Sequence, residues 1–195
     1  MTTQSYVSLR AGLAWAALTL GILAQTQAPA AAANWRIDPA RTHIAFAIDA
    51  VGYPRTHGQF RQFAGRISVD FEHPDKSRVS FHVESESVDV GSASFDDYLR
   101  SDAFLNSTRF PSIDFVSSSV AKVDDHTVRV IGELTLLGVT RPLSVDVAVE
   151  REGGGGRLAF LAKTNIDRLA FGMNSGFPLV SRDVELVISS AAVEL

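Results

Sequence analysis

The sequence predicts an all-β domain with one short helix, built as an eight-stranded antiparallel up-and-down barrel. Three observations lead there: period-two alternation along most of the chain, turn residues at short intervals, and a single segment with helical spacing. Ile44, Phe46 and Ile48 alternate with smaller or polar neighbours. Ile67, Val69 and Phe71 repeat the pattern, as do Val79, Phe81 and Val83. Ile113 and Phe115 follow, then Val128 and Val130, then Leu134 and Leu136. Leu143, Val145, Val147 and Val149 alternate with Ser144, Asp146, Ala148 and Glu150, and Val184, Leu186 and Ile188 close the series. Closure into a barrel removes the exposed sheet edges that such strands would otherwise leave.

The connections read as hairpins. Gly138 sits at a tight turn between Leu137 and Val139, where a positive φ costs glycine little. His73-Pro74-Asp75 and Asp124-Asp125 mark further turns, and Gly153 to Gly156 reads as a hairpin tip. The helical segment is expected at about 94–102, with Ser94 as its cap and Asp96 and Asp97 at its positive end. Phe95 and Leu99 share one face, and Phe104 and Phe110 follow. Such a helix either closes one end of the barrel as core or serves as an apolar flap.

Residues 1–33 read as a signal peptide. Arg10 precedes an apolar run from Ala11 to Ala24, and a small-residue tract ends in Ala31-Ala32-Ala33. The run falls short of the roughly 20 residues that span a bilayer as a helix, although an uncleaved anchor is the alternative. No cysteine follows it, so a lipid-anchored precursor is not expected. Residues 34–195 then form one domain working outside the cytoplasm, most plausibly in a bacterial periplasm.

Arg10 is the sole charged residue of that leader, so the remainder carries 17 Lys and Arg against 22 Asp and Glu, a formal charge of −5. That balance argues against nucleic acid and against electrostatic docking on anionic lipid. The absence of cysteine excludes disulfides, thiol redox chemistry, a Cys nucleophile and Cys zinc sites. All twelve Phe residues lie between Phe46 and Phe177, available either as core or as cavity wall.

Residues capable of chemistry are sparse and scattered. None of His43, His57, His73, His82 and His126 has metal-ligand spacing; no metal site is expected. His82 shares a strand phase with Ser80 and Glu84 and should face solvent. His43 and His57 are expected to lie within reach of one another. There is no G-x-S-x-G elbow. Asp167-Arg168 and Asp38 read as a buried ion pair near a barrel end, because a buried charge needs a partner; Arg168 is alternatively a donor to a ligand phosphate or carbonyl. The inward-facing set is Phe46, Ile48, Phe60, Phe81, Val83, Phe115, Leu134, Leu136, Val145, Val147, Leu186 and Ile188. Periodicity gives the direction of these side chains and leaves open whether they fill the barrel or line a void.

Several motifs together resemble the YceI-like family. Trp35-Arg36-Ile37-Asp38-Pro39 precedes Thr42-His43; Gly58-Gln59-Phe60 and Gly65-Arg66-Ile67 follow. Tyr98 to Phe104 is similar to the family's helix, and Phe110-Pro111-Ser112-Ile113-Asp114-Phe115 to its aromatic-proline element. Gly132-Glu133-Leu134-Thr135-Leu136-Leu137-Gly138-Val139-Thr140-Arg141-Pro142 resembles the most specific signature, and Ile166-Asp167-Arg168 with Phe171-Gly172-Met173 the last. Two positions depart from it: Ala50 and Tyr98 stand where many members carry histidine. The resemblance implies a lipocalin-like barrel that holds a polyisoprenoid or isoprenoid quinone in its lumen, with transient membrane contact, no required cofactor and no catalysis. It makes the inward set above the ligand-binding wall, with Arg168, His43 and Tyr98 as candidate head-group contacts. The rival classes are a hydrolase or other enzyme acting on a lipid-like molecule through His43, His57 or Arg168, and a solid-core partner-binding module for stress responses. A monomer and a dimer are both compatible with the charged outer strand faces.

Overall fold

The computed structural model describes residues 33–70, 72–153 and 156–195. The leader reading falls outside them except for Ala33, as do Phe71 and the middle of the Gly153–Gly156 tract. Eleven strands make one sheet: β1 Ala33–Ile37, β2 His43–Ile48, β3 Thr56–Phe60, β4 Phe63–Val69, β5 Arg78–Glu84, β6 Val88–Asp89, β7 Ser112–Lys122, β8 Thr127–Leu136, β9 Val139–Glu152, β10 Arg157–Asp167 and β11 Asp183–Glu194. Strand pairing follows chain order from β7 to β11 and is interleaved among the shorter strands β1 to β6. The ring closes because β1 pairs with both β4 and β11.

Three staves of the barrel are interrupted, which brings eleven strands down to eight positions. β1 and β2 form one stave, β3 and β4 the next, β5 and β6 the third; their halves pair as β1–β4, β2–β3, β4–β5 and β3–β6. The break between β1 and β2 is a 3-10 turn at Pro39–Arg41, where Pro39 has no N–H to give the ladder and Asp38 Oδ1 accepts from Ala40 N at 3.0 Å. Antiparallel pairs β5–β7, β7–β8, β8–β9, β9–β10, β10–β11 and β11–β2 complete the circle. The expected eight-stranded up-and-down barrel is the observed one.

Two of the eight staves differ from the sequence reading, which also did not set out β1, β3 and β6 as separate strands. The Val128–Val130 and Leu134–Leu136 patterns belong to one ten-residue strand, β8. Gly132 interrupts the alternation because a side chain there would collide with the Phe115 ring and the Val116 carbonyl of β7. β10 escaped the pattern because its inward residues include Ala162 and Thr164 beside Phe160 and Ile166. At the β8–β9 hairpin, Leu137 (φ 53°) and Gly138 (φ 71°) both take left-handed backbone, the conformation of a two-residue type I′ turn.

Helix α1 spans Ala93–Arg100, beginning and ending earlier than expected. Its N-cap position is Ser92, with no side-chain cap bond, so Ser94 is not the cap. Asp96 is buried and instead accepts from Val90 N at 2.7 Å. Arg100 fastens the other end by donating to the carbonyls of Glu86 (2.7 Å) and Val88 (3.0 Å), so the helix lies across one end of the barrel.

Packed side chains gather at two levels. Near the N-terminal end, Trp35, Ile37, Ile67, Leu158 and Ala192 form a buried cluster. Near the helix, Val88, Leu105, Leu134, Leu136, Ile166 and Phe171 form another, against which Leu99 packs.

Candidate functional site: an apolar lumen with one aromatic mouth

The interior between these clusters is hollow. A cavity of about 1280 Å³ runs along the barrel, above the roughly 300–1,000 Å³ of ordinary small-molecule sites. All twelve residues of the inward set line it: Phe46 and Ile48 on β2, Phe60 on β3, Phe81 and Val83 on β5, Phe115 on β7, Leu134 and Leu136 on β8, Val145 and Val147 on β9, Leu186 and Ile188 on β11. Pairing explains their convergence. Phe81 stands opposite Phe115, Phe115 opposite Leu134, and Leu186 opposite Phe46, so one inward residue faces another around the ring. Phe46 lies over Gly58, where any side chain would occupy the space of its ring. The Phe46 and Phe60 rings stand 5.7 Å apart.

The two ends differ chemically. The end near the N-terminus includes Asp70, Ser77, Lys122, Asp124, His126 and Thr127 among its lining residues. The Asp70 and Asp124 carboxyls there are held below their ordinary range chiefly by backbone N–H donors, from His73 and His126 respectively. The opposite end is bordered by α1, by the loop between β2 and β3, and by the loop between β10 and β11. Tyr98 is half-exposed there, stacked near Phe95 (6.3 Å) and edge-on to Phe104 (5.1 Å).

Arg168 sits just inside this mouth, 1% exposed. The expected buried ion pair with Asp38 is not formed. Asp38 caps the Pro39–Arg41 turn, and Asp167 pairs with Arg182 at 3.0 Å while accepting from Leu169 N. Arg168 donates instead to four backbone carbonyls: Ser181 (2.7 Å), Ser175 (2.8 Å), Val180 (2.9 Å) and Met173. Burial lowers its pKa from the ordinary value, opposed by the nearby Asp167 charge. The guanidinium thus organises the β10–β11 loop, because its planar fork satisfies carbonyls that the loop's path leaves without ladder partners.

The other candidates lie apart. His43 is exposed on the outer wall, away from the cavity. His57 opposes Ala47 on the same pair of strands, four residues along from His43, so the two stand roughly 13 Å apart at about 3.3 Å per residue. They do not approach one another, and neither shares a site with Arg168. His82 is on the outer face, with Nδ1 2.6 Å from Asp114 Oδ1 and Nε2 3.3 Å from Glu84 Oε1. The Asp114 hydrogen bond is the main cause of its raised pKa. Desolvation pushes the Asp114 carboxyl up, but hydrogen bonds from Ser112 and His82 outweigh it and leave the group lowered. Among the described residues, no three His, Asp or Glu side chains converge as metal ligands.

Sequence reasoning missed the mouth. Val51, Tyr53, Phe177 and Leu179 are exposed apolar residues on loops, where no periodicity marks them. Their signal was large apolar side chains beside turn formers, in Val51-Gly52-Tyr53-Pro54 and Phe177-Pro178-Leu179.

Comparison with known proteins agrees with this architecture. The YceI-like domain pattern matches residues 35–192. Protein YceI of Salmonella arizonae is 35% identical over 182 residues, covering 90% of this chain and 95% of that protein. A UPF0312 protein of Yersinia pestis is 35% identical over 184 residues, with 91% and 95% coverage. Among solved structures, Burkholderia cenocepacia BcnA superposes with a TM-score of 0.76 at 22% identity, over 80% of this chain and 99% of that one. A structure described as a polyisoprenoid binding domain from Saccharophagus degradans, implicated in plant cell wall breakdown, gives 0.67 at 13% identity, over 83% and 98%. With a family pattern spanning nearly the whole described barrel and relatives of this identity, the chain belongs to the YceI-like family.

Proposed function

We propose that this protein binds one long apolar molecule, a polyisoprenoid or an isoprenoid quinone, in the barrel lumen and acts as its carrier or buffer. The observation that carries this reading is the 1280 Å³ cavity walled by inward apolar side chains. At the roughly 30 Å³ that a water occupies in the liquid, it holds on the order of 40 methylene-sized groups. Membership of the YceI-like family, and a fold shared with a domain described as polyisoprenoid-binding, support the same ligand class. The apolar leader in residues 1–33 supports export to a periplasm, where such a chain needs a dry container to cross water.

Energetics favour a carrier over a trap. At about 0.8 kcal/mol per buried CH₂, a 40-carbon tail gains roughly 30 kcal/mol on leaving water, more than the 18–21 kcal/mol at which non-covalent affinities saturate. A bilayer offers nearly the same gain, so the net preference is small and exchange at a membrane surface is reversible. The groups that a catalytic reading would use, His43, His57 and Arg168, are not assembled into one site, which supports binding without turnover. Tyr98, half-exposed at the mouth, remains a candidate contact for a head group, whereas the Arg168 guanidinium is taken up by the loop carbonyls.

Organic extraction of the purified protein followed by mass spectrometry tests this reading; a prenyl lipid in near-stoichiometric yield is expected. Val147 faces the lumen from β9, so Val147→Trp obstructs the passage at that level while leaving the wall intact. The variant should fold and yield at least about tenfold less lipid. A folded Val147→Trp protein that retains its full lipid load overturns the lumen assignment.

A further inference from the structure

Among the described residues, six of the eleven exposed large apolar side chains gather at one end of the barrel, while Val116, Val123, Ile131, Leu161 and Leu195 lie elsewhere. Val51 (70% exposed), Tyr53 (77%), Leu179 (63%), Phe177 (54%) and Tyr98 (51%), together with Phe95, all border the end crossed by α1. They come from three segments far apart in sequence, so local composition does not explain the cluster. The segments carrying Val51 and Leu179 are locked together. Val51 N donates to the Leu179 carbonyl at 2.8 Å, Ser181 N to the Asp49 carbonyl at 2.8 Å, and Ala50 bridges Val180. Five of these six side chains also line the cavity, so the exposed surface continues into the lumen.

We infer that this rim is a membrane-docking surface that inserts apolar side chains into the interfacial layer of a lipid bilayer, with the lumen mouth facing the lipid. The inference rests on the lipid-carrier reading and deepens it by naming the partner and the face. Charge argues for insertion over electrostatic attraction. The three lysines, Lys76, Lys122 and Lys163, lie away from the mouth loops. Of the arginines near the mouth, Arg55 pairs with Asp49 and Glu185, Arg100 with Asp97 and Arg182 with Asp167, while Arg168 is buried against backbone carbonyls and Arg141 donates to the Ala170 carbonyl. Nothing there forms the basic patch that anionic headgroups would select. Tyr and Phe suit the membrane–water boundary, where an amphipathic ring has one apolar and one wet side. Shape argues against a second copy of the chain as occupant. The six side chains border an opening rather than a filled patch, so a protein pressed against them would gain no packed centre.

Flotation with phosphatidylcholine vesicles tests the assignment, using the full chain expressed in an exporting bacterium and purified in the form that host leaves. Phe177 lies on the rim without lining the cavity, so Phe177→Asp changes docking and not the lumen. The parent protein should float with the vesicles, unaffected by 0.5 M salt. Phe177→Asp should lower the floated fraction by about tenfold or more, while still taking up an apolar fluorescent probe delivered from ethanol. Val147→Trp should do the reverse, floating while failing to take up the probe. A parent protein that loads the probe and stays in the aqueous layer overturns docking and leaves the lumen reading standing; a parent that floats and loads nothing overturns the lumen reading. Binding only to phosphatidylglycerol vesicles, and lost in salt, overturns apolar insertion. A parent that elutes as a dimer, made monomeric by Phe177→Asp, assigns the rim to self-association and overturns the proposal.

Discussion

Arg168 is buried without a carboxylate facing its guanidinium, and its donors converge on the carbonyls of Met173, Ser175, Val180 and Ser181. Arg168→Met should therefore leave several acceptors unsatisfied and cost about 3–5 kcal/mol in urea unfolding. Arg168→Lys should recover only a small part, because a point charge cannot span four acceptors. His82 gives a second residue-level prediction. Its pKa is raised above 6.5, first by the Asp114 hydrogen bond. The folded state thus favours its protonated form, and this contribution is complete below about pH 6.5 and fades as pH rises through the raised midpoint. Proton NMR of the imidazole should show the midpoint falling in Asp114→Asn; an unchanged midpoint would discount the pairing. The sequence pointed to an ion pair for Arg168 because buried charges usually find one. The carbonyl quartet depends on the path of an irregular loop, which has no sequence period. His82, by contrast, was readable as outward-facing from strand phase alone.

At the level of elements, β8 carries the most specific sequence block, and its glycine has a steric reason. Gly132 faces the lumen opposite the β7 irregularity between Ser117 and Ser119, with the Phe115 ring in the space a side chain would take. Gly132→Val should destabilise the barrel by about 1–3 kcal/mol or more, seen as a lower thermal midpoint, through displacement of that ring and of the β7 backbone at Val116 and Ser117. The inward set was legible because a strand has a two-residue period and a one-residue slip would turn every side chain outward. β10 was not, since Ala162 and Thr164 weaken its inward stripe. The β1–β2 break was hidden too, because Pro39 reads equally as a turn between elements and as a fault within one. The mouth loops, where the candidate docking residues sit, follow no period at all.

For the whole molecule, closure and hollowness have different sources. Closure was legible from alternating segments on seven of the eight staves and from short turns, since an open sheet would leave two edges; the number eight came out right because β8 was read as two segments while β10 was missed. Hollowness was not, because side-chain direction carries no information about what lies between facing walls. If the lumen is filled by lipid in the purified protein, removing that lipid removes a ligand bound to the folded state alone. At a hundredfold excess over Kd, the linkage is about 2.7 kcal/mol, so delipidation should lower the melting temperature by roughly 5–10 °C. Equal melting curves before and after extraction would show that nothing bound had been lost.

The seam of the ring joins β1, which opens the described chain, to β11, which ends it, with Trp35 opposite Glu194 and Ile37 opposite Ala192. The cylinder therefore cannot zip shut until β11 is in place. Removing β11 should leave an unsealed sheet with two sticky margins, prone to clump with its neighbours.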